Sequence, residues 1–205
     1  MSRSTKPRTS PACAGKALSN RLRIIGGRWR SVPITFPPVA ALRPSPDRVR
    51  ETLFNWLQHS IIDARCLDLF AGSGALGLEA LSRGAAEVHF VDSEAVVGRH
   101  LQQTLAHLKA SGGEVHVTDA MRFLDGKPRP FDVVFLDPPF ASQLLEKACG
   151  KLTAGWLADG AFVYLECPAD KPLPTLPTGW SMHRSKRAGQ VGYHLLRVNS
   201  SLDLR

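Results

Sequence analysis

Four apolar runs, each with an aspartate near or directly after its end, most constrain how this chain of 205 residues can fold. The runs lie at 66–70, 87–91, 114–118 and 131–136, and each has the length of a buried strand. Helical patterns at about 76–83, 94–109 and 120–124 separate them. Because parallel strands are joined by crossovers that usually contain a helix, this alternation predicts an α/β fold with helices on both faces of a parallel sheet.

The remaining C-terminal pattern completes such a sheet. A helix is expected at 142–152 and a fifth strand at 161–167. The segments 180–186 and 191–198 resemble an antiparallel hairpin around Ala188-Gly189-Gln190, which can close one edge. We assign residues 44–205 to this domain.

The N-terminal part carries a different pattern. Residues 1–20 are expected to be a disordered basic tail. In 21–43, apolar and basic residues alternate around Gly26-Gly27, which predicts a β-hairpin with a glycine turn. One face would carry arginines beside Trp29, a surface suited to phosphates and bases.

A helix start is predicted directly after the hairpin. Ser45 is expected to cap this helix, Pro46 to take its first position and Asp47 to lie in its first turn. The residues expected to form its core face are Val49, Leu53, Phe54, Trp56 and Leu57.

Positive charge is concentrated near the N-terminus. Residues 1–50 hold nine Arg and two Lys against one acid, whereas the whole chain has a net charge of +8. The rest of the chain is therefore slightly acidic. Such asymmetry is typical of an arm that binds a polyanion, and a merely solubilising tail is the alternative.

Cysteine and histidine spacing gives no metal-binding pattern. The four cysteines, Cys13, Cys66, Cys149 and Cys167, lack paired spacing, and Cys66 and Cys167 lie in apolar runs typical of a core. The seven histidines form no ligand cluster in the sequence, so we expect no metal. There is neither an apolar stretch of membrane-spanning length nor the hydrophobic region of a secretory signal. A cytoplasmic monomer is expected.

A glycine loop after the first strand predicts a cofactor site. Gly72-x-Gly74-x-x-Gly77 matches the dinucleotide pattern, which is a weak signal alone. Asp68 at the strand end would repel a pyrophosphate but attract an ammonium group, which favours S-adenosyl-L-methionine. Asp92 is expected to bind ribose hydroxyls and Asp119 the adenine amine. The candidate cofactor-binding residues are Asp68, Phe70, Ala71, Gly72, Ser73, Gly74, Asp92, Ser93, Asp119, Ala120 and Met121.

The candidate catalytic residues are Asp137, Pro138, Pro139 and Phe140, directly after the fourth strand. Prolines donate no backbone hydrogen bond, so this turn offers a carboxylate, carbonyl oxygens and an aromatic ring. That array suits the NH2 group of a flat base. A rigid strand-to-helix corner is the alternative interpretation. Likewise, any one of the four aspartates could be only a helix cap.

The chain resembles the RsmD family, the bacterial 16S rRNA guanine(966)-N2-methyltransferases. The resemblance spans about residues 21–198. It rests on Arg23-Ile24-Ile25-Gly26-Gly27-Arg28-Trp29-Arg30, on Arg43-Pro44 through Arg48-Val49-Arg50-Glu51 to Phe54-Asn55-Trp56-Leu57, on Leu67 to Gly74, on Asp137 to Phe140, and more weakly on Lys186 to Tyr193.

This resemblance implies a class I S-adenosylmethionine-dependent methyltransferase fold, Rossmann-like with a seven-stranded, mostly parallel sheet. It also implies N2 of one guanine as acceptor, in 16S rRNA organised within the 30S subunit or an assembly intermediate. The candidate RNA-binding residues are Arg28, Trp29, Arg30, Arg48, Lys186, Arg187 and Tyr193.

Three other functions remain open from the residues. A DNA adenine-N6 methyltransferase uses the same amine chemistry but needs a recognition domain for which this chain has little room. An NAD-dependent oxidoreductase would use the glycine loop but leaves Asp68 unexplained. A non-catalytic rRNA-binding assembly factor is the third.

Overall fold

The computed structural model describes residues 20–37, 45–139 and 143–199, which form nine strands and five helices. In chain order these are β1 Arg21–Arg23, β2 Pro33–Thr35, α1 Asp47–Trp56, β3 Arg65–Asp68, α2 Ala75–Ser82, β4 Glu87–Asp92, α3 Ala95–His107, β5 Gly113–Val117, α4 Ala120–Leu124, β6 Phe131–Leu136, α5 Leu144–Leu152, β7 Leu157–Pro168, β8 Trp180–Ala188 and β9 Val191–Val198.

Seven of the strands form one sheet in the order β5-β4-β3-β6-β7-β9-β8. Neighbours are parallel except at β9, which runs antiparallel to both β7 and β8. The predicted α/β fold with a mostly parallel sheet and an antiparallel closing hairpin is therefore confirmed. Strand β7 begins earlier than expected, because Leu157 pairs with Phe131 before a register shift.

Side chains from the sheet enter two apolar clusters. On β6, Val133 and Phe135 belong to one cluster, whereas Phe131, Val134 and Leu136 belong to the other. From Val133 to Leu136 this alternation follows from the period of two in a strand. Phe131 departs from it because a register shift with β7 lies between Phe131 and Val133. Because both faces of β6 are covered, its sequence is almost uniformly apolar, which made it the easiest strand to recognise.

The N-terminal hairpin packs on the main domain and shares its core. β1 and β2 pair antiparallel, as predicted, but their connection contains a 3-10 turn at Gly27–Trp29 instead of a tight glycine turn. Leu22, Ile24 and Ile34 are buried in the same cluster as α1 and α2. The hairpin is thus fastened to the domain by apolar burial.

Helix α1 is not capped by Ser45, contrary to the prediction. Its N-terminal cap position is Pro46, without a side-chain hydrogen bond, and Ser45 turns instead toward Glu166. Of the predicted core face, Val49, Leu53, Phe54 and Leu57 are buried, whereas Trp56 is only half-buried. Arg50 is also buried, which the periodicity did not predict.

Several predictions fall on residues that the structure does not describe. They concern the tail 1–20 except Asn20, the end of the hairpin segment with Arg43 and Pro44, Cys13, and Phe140. Cys66 and Cys167 are buried, as expected, and Cys149 is buried too. In the described part of the chain, no helix is both long and apolar enough to cross a membrane.

Candidate functional site

The four predicted aspartates lie at one edge of the sheet. Asp68 and Asp92 end β3 and β4, Asp137 directly follows β6, and Asp119 caps the helix after β5. Since β5, β4, β3 and β6 are consecutive neighbours, their carboxyl ends form a continuous edge. Ligands of open α/β sheets bind in this crevice.

Asp92 holds the glycine loop in place. Its Oδ2 accepts a 2.9 Å hydrogen bond from the backbone N–H of Gly72, and its Oδ1 accepts a 2.8 Å bond from that of Glu94. Gly72 has a φ of +50° and Gly74 a φ of +75°, conformations that glycine adopts without strain. Asp92 therefore shapes the loop, in addition to any contact it makes with a ligand.

Asp68 is a buried carboxylate at the centre of the edge. Its Oδ2 accepts a 2.9 Å bond from the N–H of Gly77. Burial, reinforced by nearby Asp92, raises the pKa of Asp68 to about 7, although the bond from Gly77 lowers it. Among residues 20–37, 45–139 and 143–199, no cation forms an ion pair with Asp68. A ligand ammonium group would supply the missing positive charge.

Asp119 acts as a helix cap. Its Oδ1 accepts hydrogen bonds from the N–H groups of Met121 and Arg122, at 2.8 and 3.0 Å. The alternative interpretation of this aspartate as a helix cap therefore holds for one of its two carboxylate oxygens. Oδ2 takes part in neither bond, and the side chain is exposed at the edge.

The other candidate cofactor residues differ in exposure. Ala71, Ser73 and Ala120 are buried, and Ser93 is exposed. Phe70 and Met121 are half-buried against the cluster that contains Leu67. These two side chains are suited to pack against a flat ring.

The turn after β6 places Asp137 half-buried, Pro138 buried and Pro139 exposed. Burial raises the pKa of Asp137 well above its ordinary value, and the negative charges of Glu166 and Asp68 raise it further. The Ser45 hydroxyl lowers it. Asp137 therefore belongs to a group of interacting carboxyls.

Glu166, on β7, is the residue of this group that sequence analysis missed. Leu136 and Leu165 are register partners of the parallel strands β6 and β7, so the residues after them, Asp137 and Glu166, lie on adjacent strands at the same level. Glu166 is 4% exposed. An acid inside the apolar strand pattern at 161–167 was the available signal.

A second missed group fastens the hairpin to helix α2. Glu79 accepts 2.8 Å hydrogen bonds from the backbone N–H groups of Ile25 and Gly26. Ser82 Oγ accepts a 2.9 Å bond from the Trp29 N–H and donates a 2.6 Å bond to the Gly26 carbonyl. The connection between β1 and β2, which carries Arg28 and Arg30, is therefore held on helix α2.

Comparison with known proteins agrees with this arrangement. The family model described as Conserved hypothetical protein 95 matches residues 22–197. Ribosomal RNA small subunit methyltransferase D of Escherichia coli strain K12 is 52% identical over 178 residues, which cover 86% of this chain and 90% of that protein. The chain belongs to this family. Its resemblance to the RsmD family is confirmed.

Two further relatives extend the family match. The protein of the same name from Haemophilus influenzae is 43% identical over 85% of this chain and 92% of its own length. The solved structure of yhhF from Escherichia coli superposes with a TM-score of 0.82 at 49% identity, covering 88% of this chain and 99% of that one. This chain and the yhhF structure thus share one fold over most of their lengths.

The candidate RNA-binding residues divide into two sets. Arg28, Arg30, Arg48, Lys186 and Arg187 are exposed. Trp29 and Tyr193 are buried, at 8% and 3% exposure, so neither ring offers an open face for stacking on a base.

Of the two buried rings, Trp29 lies beneath a cation and Tyr193 stacks on a ring that does. The Arg28 guanidinium lies 4.4 Å from the Trp29 ring centroid. Tyr193 stacks on Trp56 with 5.5 Å between centroids, and Lys186 Nζ lies 6.0 Å from the Trp56 ring. Burial of the apolar rings lowers the free energy of folding. The faces of Trp29 and Trp56 help to orient Arg28 and Lys186.

The structure brings two histidines together, contrary to the expectation that the histidines form no ligand cluster. His89 and His116 stack with 5.0 Å between ring centroids, and their ligand atoms and those of Glu114 lie within 4.8 Å of one another. The register of β4 and β5 pairs His89 with Glu114, which brings together residues distant in sequence. A hydrogen-bonded chain, Glu87 to His89 at 2.8 Å and His89 to His116 at 2.9 Å, accounts for this packing.

Proposed function

We propose that this protein transfers a methyl group from S-adenosyl-L-methionine to the exocyclic N2 amine of a guanine in 16S rRNA. The observation that carries this proposal is the position of Asp137, Pro138 and Pro139 directly after β6, the strand that pairs with β3 and its buried Asp68. The names of its relatives, at 52% and 43% identity, support small-subunit rRNA as the substrate.

The residues present fit the cofactor. Asp68 offers a buried carboxylate for an ammonium group, and Asp92 lies on the next strand for ribose hydroxyls. Asp119 keeps one oxygen outside its cap bonds for the adenine amine. When bound, S-adenosyl-L-methionine supplies an electrophilic methyl group on a positively charged sulfur.

The acceptor amine would be held by the turn after β6. Asp137 and the Pro138 carbonyl accept the two N2 hydrogens and direct the nitrogen lone pair toward the methyl group, so much of the rate comes from orientation. As N2 bonds to the methyl carbon and the carbon–sulfur bond breaks, the nitrogen would become positively charged and the Asp137 carboxylate would stabilise it. One N2 proton would then leave to Asp137 or to water, which gives neutral N2-methylguanine. Phe140, which follows in the sequence, is proposed to stack on a base swung out of the RNA.

The exposed cations are proposed to hold the RNA backbone. Arg28, Arg30 and Arg48 come from the N-terminal part, and Lys186 and Arg187 from β8. The protein acts as a cytoplasmic monomer on 16S rRNA within the 30S subunit or an assembly intermediate. The resemblance to RsmD proteins supports this assignment, and it does not favour DNA adenine methylation, NAD chemistry or a non-catalytic role.

The decisive experiment supplies labelled S-adenosyl-L-methionine with undermethylated 30S subunits, protein-free 16S rRNA and plasmid DNA. We expect label in N2-methylguanine from the 30S subunits. Label in DNA N6-methyladenine would overturn the RNA substrate. Absence of label from all three, with cofactor binding shown by calorimetry, would favour the assembly factor.

A further inference from the structure

A cavity of about 270 Å³ opens beside the Asp137 turn. Pro138 and Pro139 line one part of it, and Cys167, Pro168 and Pro172 another. Most of its lining is apolar, and its charged residues are Glu146, Lys171 and the buried Glu166. An apolar slot with a few fixed polar groups is typical of a site for a flat ligand.

One oxygen of Glu166 is held by two hydroxyl groups. Ser45 Oγ donates a 2.5 Å hydrogen bond to Oε1, and the Tyr164 hydroxyl donates a 2.8 Å bond to the same atom. Oε2 takes part in neither bond. Since rotation of the carboxylate would break both, Oε2 has a fixed direction.

Glu166 also lacks a charge partner in the part of the chain that the structure describes, where no Lys, Arg or His forms an ion pair with it. A buried carboxylate without a cation is costly unless hydrogen-bond donors satisfy it. Burial raises the pKa of Glu166, whereas the bonds from Ser45 and Tyr164 lower it. A further donor from a ligand would stabilise the ionised form.

Guanine and adenine differ at the atom next to the reacting amine. In guanine, N2 is flanked by N1, which carries a hydrogen, and by N3, which does not. In adenine, N6 is flanked by an N1 with a lone pair. A carboxylate beside the amine would accept a hydrogen bond from guanine N1–H and repel the lone pair of adenine N1.

We propose that Glu166 selects guanine by accepting the N1–H of the target base at Oε2, while Asp137 and Pro138 hold the N2 amine. This inference rests on the proposed function and adds the residue that determines which base is accepted. A site built to bond a donor rejects an analogue without it because the buried acceptor is left unpaired.

The test compares reconstituted 30S subunits carrying either guanosine or 2,6-diaminopurine riboside at the position that the enzyme methylates. Diaminopurine keeps the N2 amine but has a lone pair at N1. We expect the wild-type kcat/KM to be about 10- to 100-fold lower for diaminopurine, as for an unpaired buried acceptor.

Glu166→Gln should reverse or abolish this preference. Because Ser45 and Tyr164 both donate, the amide oxygen should take the place of Oε1, and the amide nitrogen should then donate at the Oε2 position. We expect the guanosine-to-diaminopurine ratio to fall at least about tenfold, through the loss of one hydrogen bond to a charged group. Glu114→Gln, an exposed glutamate on β5 at the far edge of the sheet, is the matched control.

A binding measurement keeps the proposal testable if Glu166→Gln is inactive. With S-adenosylhomocysteine bound, its affinities for the two 30S substrates should show the same loss of preference for guanosine. A wild-type ratio in Glu166→Gln, by kinetics or by binding, would overturn the proposal, as would loss of cofactor binding and of thermal stability in this variant. Failure of wild-type protein to methylate guanosine would instead count against the proposed function.

Discussion

Arg50 and Glu79 form an ion pair in which neither side chain is exposed to solvent, with Nη1 of Arg50 3.4 Å from Oε2 of Glu79. Arg50 Nη2 also donates a 2.9 Å bond to the Arg23 carbonyl. Arg83 donates a 2.7 Å bond to Oε1 of Glu79. One buried glutamate thus joins the hairpin, α1 and α2.

Replacing Glu79 should destabilise the protein strongly. In Glu79→Gln, Arg50 loses its buried counter-charge and keeps only its 2.6 Å ion pair with the exposed Asp47. We therefore expect the free energy of unfolding to fall by up to about 3–5 kcal/mol in urea titrations. Asp125→Asn removes one partner of the exposed Lys151–Asp125 pair and should cost at most about 1 kcal/mol. Equal losses in the two variants would contradict the anchoring role of Glu79.

Gly27 should tolerate no side chain. It has a φ of +74°, and a Cβ there would lie 1.8 Å from the Ser82 carbonyl oxygen. In Gly27→Ala we expect about 1–2 kcal/mol lost to the backbone conformation and about 1–3 kcal/mol more to the clash. Gly189→Ala, with a φ of +60° and open space around the Cβ, isolates the first cost.

Hydrogen exchange locates the effect of Gly27→Ala. Amides of β1 and β2 should exchange faster in this variant, whereas amides of β6 should keep their protection relative to the new global stability. If Gly27→Ala and Gly189→Ala lose the same stability, the close approach to helix α2 does not limit this position.

Cofactor affinity should depend on the ionisation of Asp68. Its pKa of about 7 means that it is mostly protonated below that pH, and an ammonium group must then displace the proton. Affinity for S-adenosyl-L-methionine in calorimetry should therefore rise with pH up to about 7, by no more than tenfold per unit. Above about pH 8 the amino group of the ligand loses its own proton. Asp68→Asn should bind weakly and without the rise; a rise in this variant would assign it to another group.

The same pKa shift affects folding. Because the pKa of Asp68 is raised from 3.8 in the unfolded chain, its contribution to stability is present below about pH 4 and is lost as the pH rises through about 7. In urea titrations across this range, the free energy of unfolding of wild type should fall relative to that of Asp68→Asn as the pH rises.

Asp137 should serve transfer more than cofactor binding. Asp137→Ala removes an acceptor of the target amine, so we expect methyl transfer to fall at least about 100-fold, while cofactor affinity changes less than tenfold. Calorimetry and single-turnover assays measure the two effects separately. Loss of affinity beyond tenfold would place Asp137 in the cofactor site instead.

Removing Arg28 and Arg187 together should weaken RNA binding and its salt dependence. For each phosphate that is no longer neutralised, the slope of log K against log salt should become shallower by about 0.7–0.9. Filter binding with 16S rRNA at several salt concentrations measures this slope. Arg129→Ala, an exposed arginine paired with Glu87, is the control. An unchanged slope in the double variant would exclude both residues from binding phosphates.

Local patterns in the sequence determined the strand and helix order, the glycine loop and the four aspartates at the strand ends. These features follow from the period of apolar residues and from turn chemistry, which depend on near neighbours. Both ends of strand β6 were predicted correctly, because a short apolar run of this kind is typical of a buried strand.

Only the tertiary structure decided where Trp29 and Ser45 point. Trp29 lies beside arginines in the sequence, yet its ring is buried on the domain, and Ser45 bonds to a glutamate 121 residues away instead of capping its helix. Sequence alone also could not show that Asp137 lies beside Glu166 or that His89 meets His116. Strand register and helix docking create these contacts, and both depend on burial summed over the whole core, which no local window contains.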